Sequence, residues 1–432
     1  MDNELIIFWF RRDLRLHDNH GLFEALRSGQ KILPLFIFDT GILDKLNDPK
    51  DSRVSFIYNS LKQIDVKLRK FGSCLFVRHG KPLEIFGKLI EEYTVKGVFV
   101  NNDFEPYGIE RDAQIRDFIK SKGIEFNCFT DHVIFEPTEI LKSDGYPYTV
   151  YTPFSARWKE RLRGKKIETY ASENLMHNFL SANEYFPMLD QIGFVPTSVE
   201  APVLSIDSQT LLQYHELRNL PFPGSTTYSG VYLRFGIISI RQLVSEALKY
   251  SEIFLNELIW REFFIQILYH FPHVVTNNFN PRYKQLLWRN DPHEFQLWCT
   301  GTTGFPMVDA GMRQLNQTGF MHNRVRMITA GFLTKHLLID WRWGEAYFAE
   351  KLLDYELASN NGNWQWAAGT GCDAAPYFRV FNPAEQARKF DPELLYVHKW
   401  IPEFGTPSYP LPMVDHKTAR ERALKTYKEA LS

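Results

Sequence analysis

LIIFWF at residues 5–10 opens a series of short apolar runs, continued by KILPLFIFD (31–39), CLFVR (74–78), GVFV (97–100) and IEFNCF (124–129). Each has the length of a buried strand, and amphipathic stretches separate them. Between the second and third runs, Val54 to Arg69 sets Ile57, Leu61, Ile64 and Leu68 on one face of a helix. Leu83, Phe86, Ile90 and Tyr93 repeat that spacing before the fourth. Strands alternating with helices predict a doubly wound parallel sheet with right-handed crossovers over residues 1–130. Such a sheet takes ligands beyond the carboxyl ends of its strands, but no G-x-G-x-x-G is present, so the pattern implies no dinucleotide.

Outward from that sheet the period is lost. Residues 131–205 gain proline, glycine and polar residues (FEPTE, SDGYPYTVYTPF, GFVPTSVEAPV), which reads as an interdomain connector crossing the surface. Residues 206–432 read as helical, with helices expected over Ser251 to His270, Pro306 to Thr318 and Met321 to Leu338. The expected fold class is therefore α/β plus all-α, a sheet domain followed by a helical one.

Lys+Arg 50 against Asp+Glu 51 gives a net charge of -1, which excludes a polybasic protein held to nucleic acid by bulk charge. An anionic partner must be met by a local patch. Cys74, Cys128, Cys299 and Cys372 lie far apart without a C-x-x-C pair, so neither a disulfide framework nor a metal site is expected. No apolar run reaches the length of a membrane span, and the first one is preceded by acids rather than basic residues, so a soluble cytoplasmic protein is expected. The outlier is an aromatic content of 15%, with eight of the 10 tryptophans between Trp260 and Trp400.

Four segments of the second half carry candidate chemistry. NELIWREFF (256–264) puts Glu257, Trp260 and Arg261 within one helical turn, which alone reads more readily as a surface pair beside a core indole. GFMHNRVRM (319–327) puts Asn323 and Met327 on one face beside Arg324 and Arg326. YHELRNLPFPGSTTYSGVYLRFG (214–236) has a Ser/Thr/Gly loop entering a helix, a source of phosphate-binding donors and equally of plain caps. LLDYELASNNGNWQWAAGTGCDAAPYFRVFNP (352–383) is the strangest. It sets Asp354, Glu356, Asn360, Trp364, Trp366 and Arg379 around a glycine-containing stretch read as helix-breaking. Buried amides need partners, so this group reads as built around a ligand with a hydrogen-bonding edge and a flat face.

Together with FWFRRDLRLHDNHGL (8–22), TGFPMVDAGMRQL (303–315) and DWRWGE (340–345), these segments resemble the photolyase/cryptochrome family of blue-light flavoproteins, and within it the class I cyclobutane pyrimidine dimer photolyases. The resemblance spans nearly the whole chain, with the motifs in family order. It implies an antenna-type α/β domain, a helical domain holding FAD, and light-driven electron transfer from reduced FAD to a dimer flipped out of DNA. Carried over by motif, Tyr214, Thr226, Thr227, Tyr228, Ser229 and Gly230 match the surroundings of the FAD diphosphate. Arg261, Asn323, Arg326, Asp354, Glu356 and Asn360 match those of the isoalloxazine and adenine. Glu257, Trp260, Asn323, Met327 and Trp366 match the pocket for the damaged pair, Arg218, Arg324 and Arg379 the phosphate contacts, and Trp364, Trp341 and Trp288 the family's electron-carrying indoles.

The (6-4) repair enzymes of this family carry His where Asn323 and Met327 stand, so the resemblance implies the cyclobutane dimer as the lesion. Glu356 stands where Asp is usual, Tyr228-Ser229-Gly230 replaces the family's T-S-R-L-S, and Phe320 replaces a Trp. Gly108 replaces the Glu of folate-using members, which weighs against methenyltetrahydrofolate and leaves the antenna pigment open. A monomer is expected. The alternative is a cryptochrome-like photoreceptor without repair, but signalling members often carry a long C-terminal extension and this text stops 32 residues after Trp400. A flavin electron carrier, the third reading, leaves the damage pocket unexplained.

Overall fold

A computed structural model describes residues 4–222 and 224–431; Pro223, within the 214–236 motif, lies outside the described residues. Five parallel strands, β1 (Glu4–Phe10), β2 (Lys31–Asp39), β3 (Phe76–Gly80), β4 (Thr94–Asn101) and β5 (Glu125–Phe129), lie in the order β3-β2-β1-β4-β5. The order reverses between β1 and β4, as in doubly wound sheets. Helices Ser52–Arg69, Pro82–Glu92 and Pro106–Ser121 provide crossovers. Leu5, Ile7, Trp9, Leu33, Leu35, Val98 and Val100 share one buried cluster with Phe86 and Ile115, and the near-continuous apolar runs of the central strands follow from burial on both faces. The helix after β3 turns a different face to the sheet from the one expected. Ile85, Phe86 and Leu89 are buried and Leu83 is exposed, because Phe86 packs edge-on against Trp9 at 5.3 Å.

The chain forms two compact units, each drawn from three segments: residues 4–139, 161–202 and 229–246 in the first, and 140–160, 203–228 and 247–431 in the second. This differs from the continuous 1–130, 131–205 and 206–432 division expected from composition. Within the first unit, Arg241 donates to Asp131 at 2.9 Å and to Asp18 at 3.0 Å, and Arg15 also donates to Asp131, at 2.6 Å. These buried charges hold the 229–246 segment beside the ends of β1 and β5; each is paired, as burial demands. The 131–205 region is no mere surface connector either. It contains the helix Tyr151–Arg163, whose Phe154 and Trp158 are fully buried.

The second unit is helical throughout. Glu252–His270 and Pro306–Thr318 form where the spacing predicts them. Met321–Leu338 does not run as one helix: Asn323–Gly331 is α and Phe332–His336 widens into a π turn, closed by the Leu337 amide on the Phe332 carbonyl at 3.1 Å. The stretch expected to break a helix is itself one, Leu357–Ala368, running straight through Asn360-Asn361-Gly362-Asn363. Its glycine serves a close crossing: a Cβ at Gly362 would lie 2.1 Å from Phe264 of Glu252–His270. Gly344, on the helix Trp341–Lys351, lets Trp364 approach in the same way.

Gly362→Ala is expected to destabilise the protein by about 1–3 kcal/mol, because the backbone or Phe264 must shift to admit the methyl group. Gly331→Ala is the control: its nearest neighbour would be Phe381 at 3.7 Å, an ordinary contact, and Ala favours the helix. Denaturant titration of both variants checks the contrast.

Candidate functional site

The helix Leu357–Ala368 presents four amide side chains of different fates. Asn361 donates to the Val274 carbonyl at 3.0 Å; Gln365 donates to the same carbonyl at 3.0 Å and accepts from the Phe279 amide at 2.8 Å. These two are spent on the fold. Asn363 is exposed and donates to the Ser359 carbonyl at 2.8 Å. Asn360 gives its nitrogen to Glu345, at 2.9 Å to the carboxyl and 3.1 Å to the carbonyl, and lines a cavity. Its oxygen is left as an acceptor for a ligand.

Arg326 lines the same cavity, its guanidinium fixed by the Met321 carbonyl at 2.7 Å and by both oxygens of Asp354 at 2.8 and 3.1 Å. Glu356 accepts from Arg261 at 2.9 Å and from Ser359 at 3.0 Å. The Glu found where Asp is usual is thus held at both oxygens. Asn323, Met327, Trp364 and Trp366 complete the relevant wall. Eight residues matched to the flavin, the lesion or the electron route therefore meet in one cavity: Asn323, Arg326, Met327, Asp354, Glu356, Asn360, Trp364 and Trp366. The donor set fits a flavin, with an open amide acceptor, a fixed cation beside a carboxylate, and flat apolar surface.

The remaining candidate residues lie away from this cavity, most of them in the second unit. Tyr214 is buried, bonded to Thr226, and burial raises its phenol well above the usual range. Thr227 is buried, and its carbonyl accepts from the Ser205 amide at 3.0 Å. Tyr228 adopts a left-handed backbone (φ 52°) and packs edge-on to Phe320 at 5.2 Å, with Arg326 over the other partner's ring at 5.9 Å. Phe320 thus fills an aromatic position where the family has Trp. Ser229 and Gly230 begin the six-residue helix Ser229–Arg234 of the first unit.

Among the three arginines matched to phosphate, only Arg379 is exposed without an ion pair among the described residues. Arg218 is engaged by Glu257 at 2.6 Å. Arg324 donates to Asn219 at 2.6 Å and lies over Phe390 at 4.5 Å, and burial, aided by Arg218, lowers its pKa. Trp260 is stacked on Tyr151, with centroids 3.7 Å apart. Of the indoles matched to the electron route, Trp364 and Trp341 are buried and Trp288 is half-buried against the same cluster. Trp341 donates to Asn278 at 2.8 Å.

Three residues of the site escaped the sequence reading. Tyr151 sits in the supposed connector. Glu345 meets Asn360 from a neighbouring helix, a pairing with no local signature. His322 lies within a quoted motif and caps the helix Asn323–Gly331, accepting from the Arg324 amide at 3.2 Å. Burial, then Arg326, Arg324 and Arg218, push its pKa down to about 3, so it stands neutral beside Asn323.

Burial raises the Glu345 carboxyl above its ordinary 4.5, against the opposing effect of the Asn360 hydrogen bond. A carboxyl raised on folding contributes stability that is fully present below its ordinary pKa and lost as pH rises through the raised one. Glu345→Gln keeps an acceptor for Asn360 and has no proton to lose. Its stability relative to the wild type is therefore expected to improve as pH rises from below 4.5 towards neutrality, measured by paired denaturant titrations. A pH-independent difference would contradict this.

Comparison with known proteins agrees with this geometry. Residues 6–172 match the family model for DNA photolyase, and residues 254–407 match that for the FAD binding domain of DNA photolyase. The deoxyribodipyrimidine photo-lyase of Halobacterium salinarum is 36% identical, with 98% of this chain and 99% of that protein covered. That of Escherichia coli is 34% identical, with 98% of each covered. Among solved structures, a bacterial class III photolyase from Agrobacterium tumefaciens superposes with TM-score 0.87 at 32% identity, covering 100% of this chain and 98% of that one. An archaeal photolyase from Sulfolobus tokodaii, solved with two FAD molecules, gives 0.82 at 33%, covering 99% and 100%. With relatives this similar over nearly its whole length, and with the FAD-binding and sheet domains both matched, the chain belongs to the DNA photolyase family.

Proposed function

We propose that this protein is a deoxyribodipyrimidine photo-lyase of class I, which splits cyclobutane pyrimidine dimers in DNA under blue light. The observation that carries the reading is a single cavity lined both by groups that suit a flavin (Arg326, Asp354, Asn360) and by groups that suit an extruded dimer (Asn323, Met327, Trp366). Cofactor and lesion would share one space. The class I subtype rests on the motif wording; a class III photolyase is 32% identical over the whole chain, so identity alone does not carry the subtype.

FAD, when bound and reduced, supplies on excitation the electron that opens the cyclobutane ring and takes it back afterwards. Arg326, pinned by Asp354, would hold positive charge beside the ring system and favour its anionic form, an effect enlarged where water is excluded. Asn360 would accept a hydrogen bond but has no acidic proton to give. A dimer in duplex DNA must be flipped out at a cost of about a few kcal/mol, less than for a normal pair because it stacks and pairs poorly. Trp366 and Trp260 offer it apolar surface, and Glu257 an acceptor whose carboxylate is held by Arg218. Arg379 would contact backbone phosphate, a positioning role independent of sequence.

The lesion follows from what the pocket lacks. Returning the hydroxyl in a (6-4) product calls for an acid near the rings, as the family's His residues imply. Asn323 and Met327 cannot supply one, and the adjacent His322 stays neutral. Opening a cyclobutane needs an electron in and an electron back, with no required proton donor.

A second chromophore belongs to the proposal, as the archaeal relative holds two FAD molecules. A Cβ at Gly108 would lie 2.6 Å from the Asp103 carboxyl carbon, which supports a pigment other than methenyltetrahydrofolate. No helix among the described residues is long and apolar enough to cross a membrane, and a cytoplasmic monomer associated with DNA is the setting proposed.

Reduced enzyme illuminated with oligonucleotides bearing each lesion should restore thymines from the cyclobutane dimer and not from the (6-4) product, counted by chromatography. Comparable restoration of both would overturn the lesion assignment. Trp364→Phe should suppress light-driven reduction of the oxidised flavin while repair by chemically reduced enzyme stays nearly intact, because the indoles refill the flavin and do not touch DNA. Equal loss of both activities would remove Trp364 from the electron route.

A further inference from the structure

Trp260 does not stand alone. Tyr151 lies parallel to it, with centroids 3.7 Å apart and planes 4° apart, so one indole face is covered by the protein's own ring. Either this phenol occupies the place of a base and must swing away, or it backs the indole permanently. Its anchoring decides between them. The Tyr151 hydroxyl donates to the Asn256 carbonyl at 2.9 Å, and its backbone amide donates to Asp373 at 3.0 Å. The helix it begins is fastened along Glu252–His270 by Trp158 donating to Glu262 at 2.9 Å and by the Lys159–Glu252 pair at 2.8 Å. Phe154 adds a ring contact with Phe263 at 5.3 Å. A residue held at its hydroxyl and at its backbone amide, on a helix tied along its length, is a support.

We infer that Tyr151 is a positioning residue for lesion recognition, fixing the plane of Trp260 so that an extruded pyrimidine dimer meets the indole on the face turned away from the phenol. This rests on the reading of Trp260 as a wall for the dimer. An indole free to turn about its side-chain torsions must be ordered when the lesion arrives; one already stacked loses less freedom on binding. The chemistry is that of a three-layer stack, phenol on indole on pyrimidine. Glu257 and Arg218 lie close enough to Tyr151 to act on its ionisation electrostatically, which places it beside the other groups matched to lesion and phosphate.

The test is binding in the dark by the full-length, FAD-loaded protein to duplex oligonucleotides with and without one cyclobutane dimer, read by fluorescence anisotropy. Tyr151→Ala is expected to lower the preference for damaged over intact DNA by about three- to tenfold, the scale of one stacked aromatic pair, with intact-DNA affinity unchanged. Tyr151→Phe should keep the preference, since the ring does the stacking. The double variant Tyr151→Ala/Trp260→Ala should be no worse than Trp260→Ala alone, because the phenol acts only through the indole. An unchanged preference in Tyr151→Ala, a rise in it, or additive losses in the double variant would each overturn the inference, a rise identifying a gate. Should Tyr151→Ala fail to fold, Asp373→Gly removes one anchor at a left-handed position (φ 46°) and should lower the preference in the same direction; no change there overturns it equally. If Trp260→Ala itself leaves the preference intact, it is the wall reading that fails.

Discussion

The second unit is organised around one constraint: a helix carrying amides into an apolar core must have every one of them satisfied. Leu357–Ala368 buries Asn360, Asn361 and Gln365 among indoles and phenylalanines. An unpaired amide there would cost on the order of 1–3 kcal/mol. The Val274 carbonyl, the Phe279 amide and Glu345 answer them, and they come from the turn after Glu252–His270 and from Trp341–Lys351. Those partners can reach only because Gly362 and Gly344 let the helices close to contact. Close crossing, amide pairing and the placement of Trp364 are therefore one arrangement. A side chain at either glycine would disturb the packing that holds the cavity open at Asn360.

The same economy governs charge. With a net charge of -1, the chain has no general affinity for a polyanion, and cations must be concentrated. Arg218, Arg324 and Arg326 all act electrostatically on His322, so three guanidiniums converge there. Each is restrained differently: Arg218 by Glu257, Arg324 by Asn219 and Phe390, Arg326 by Asp354. Arg218 and Arg326 keep carboxylate partners, which limits mutual repulsion in the free protein, while Arg324 relies on dispersion and a neutral amide. His322 is the price of that crowding: surrounded by cations and buried, it cannot ionise near neutral pH. An imidazole thus caps Asn323–Gly331 without serving as a proton donor near neutral pH.

The sheet was legible because its signal is local. Five apolar runs mark the five strands within about three residues at each end, and in β1 and β2 burial on both faces leaves no alternation to misread. The helical unit was legible only where periodicity is local too, as in Pro306–Thr318. N-N-G-N reads as a break because intrinsic propensity disfavours it, and nothing in the sequence shows that Phe264 needs the missing Cβ. Leu83 was assigned inward because spacing alone cannot tell which stripe Trp9 will meet. The discontinuous units depend on Arg241 reaching Asp18 and Asp131, pairs more than a hundred residues apart. Motif likeness brought eight site residues to one cavity, yet it could not show that Arg218 and Glu257 hold each other, or that Tyr151 lies on Trp260.

The pairing of Asn360 with Glu345 shows how far side-chain identity shapes proton traffic. Glu345 is a carboxyl that burial inclines to keep its proton, and it sits directly behind the residue that lines the cavity. Were position 360 a carboxylic acid, two titratable groups in contact would offer a proton to whatever occupies the cavity. An amide there accepts from Glu345's side of the cavity wall no proton that it can pass on: its nitrogen only donates, and its oxygen is a weak base. The hydrogen bond fixes which way the amide faces, its nitrogen towards Glu345, and leaves its oxygen free to accept. A site meant to lend an electron and recover it gains from this arrangement, because a proton delivered to the reduced lesion would hold there the electron that the cycle has to return.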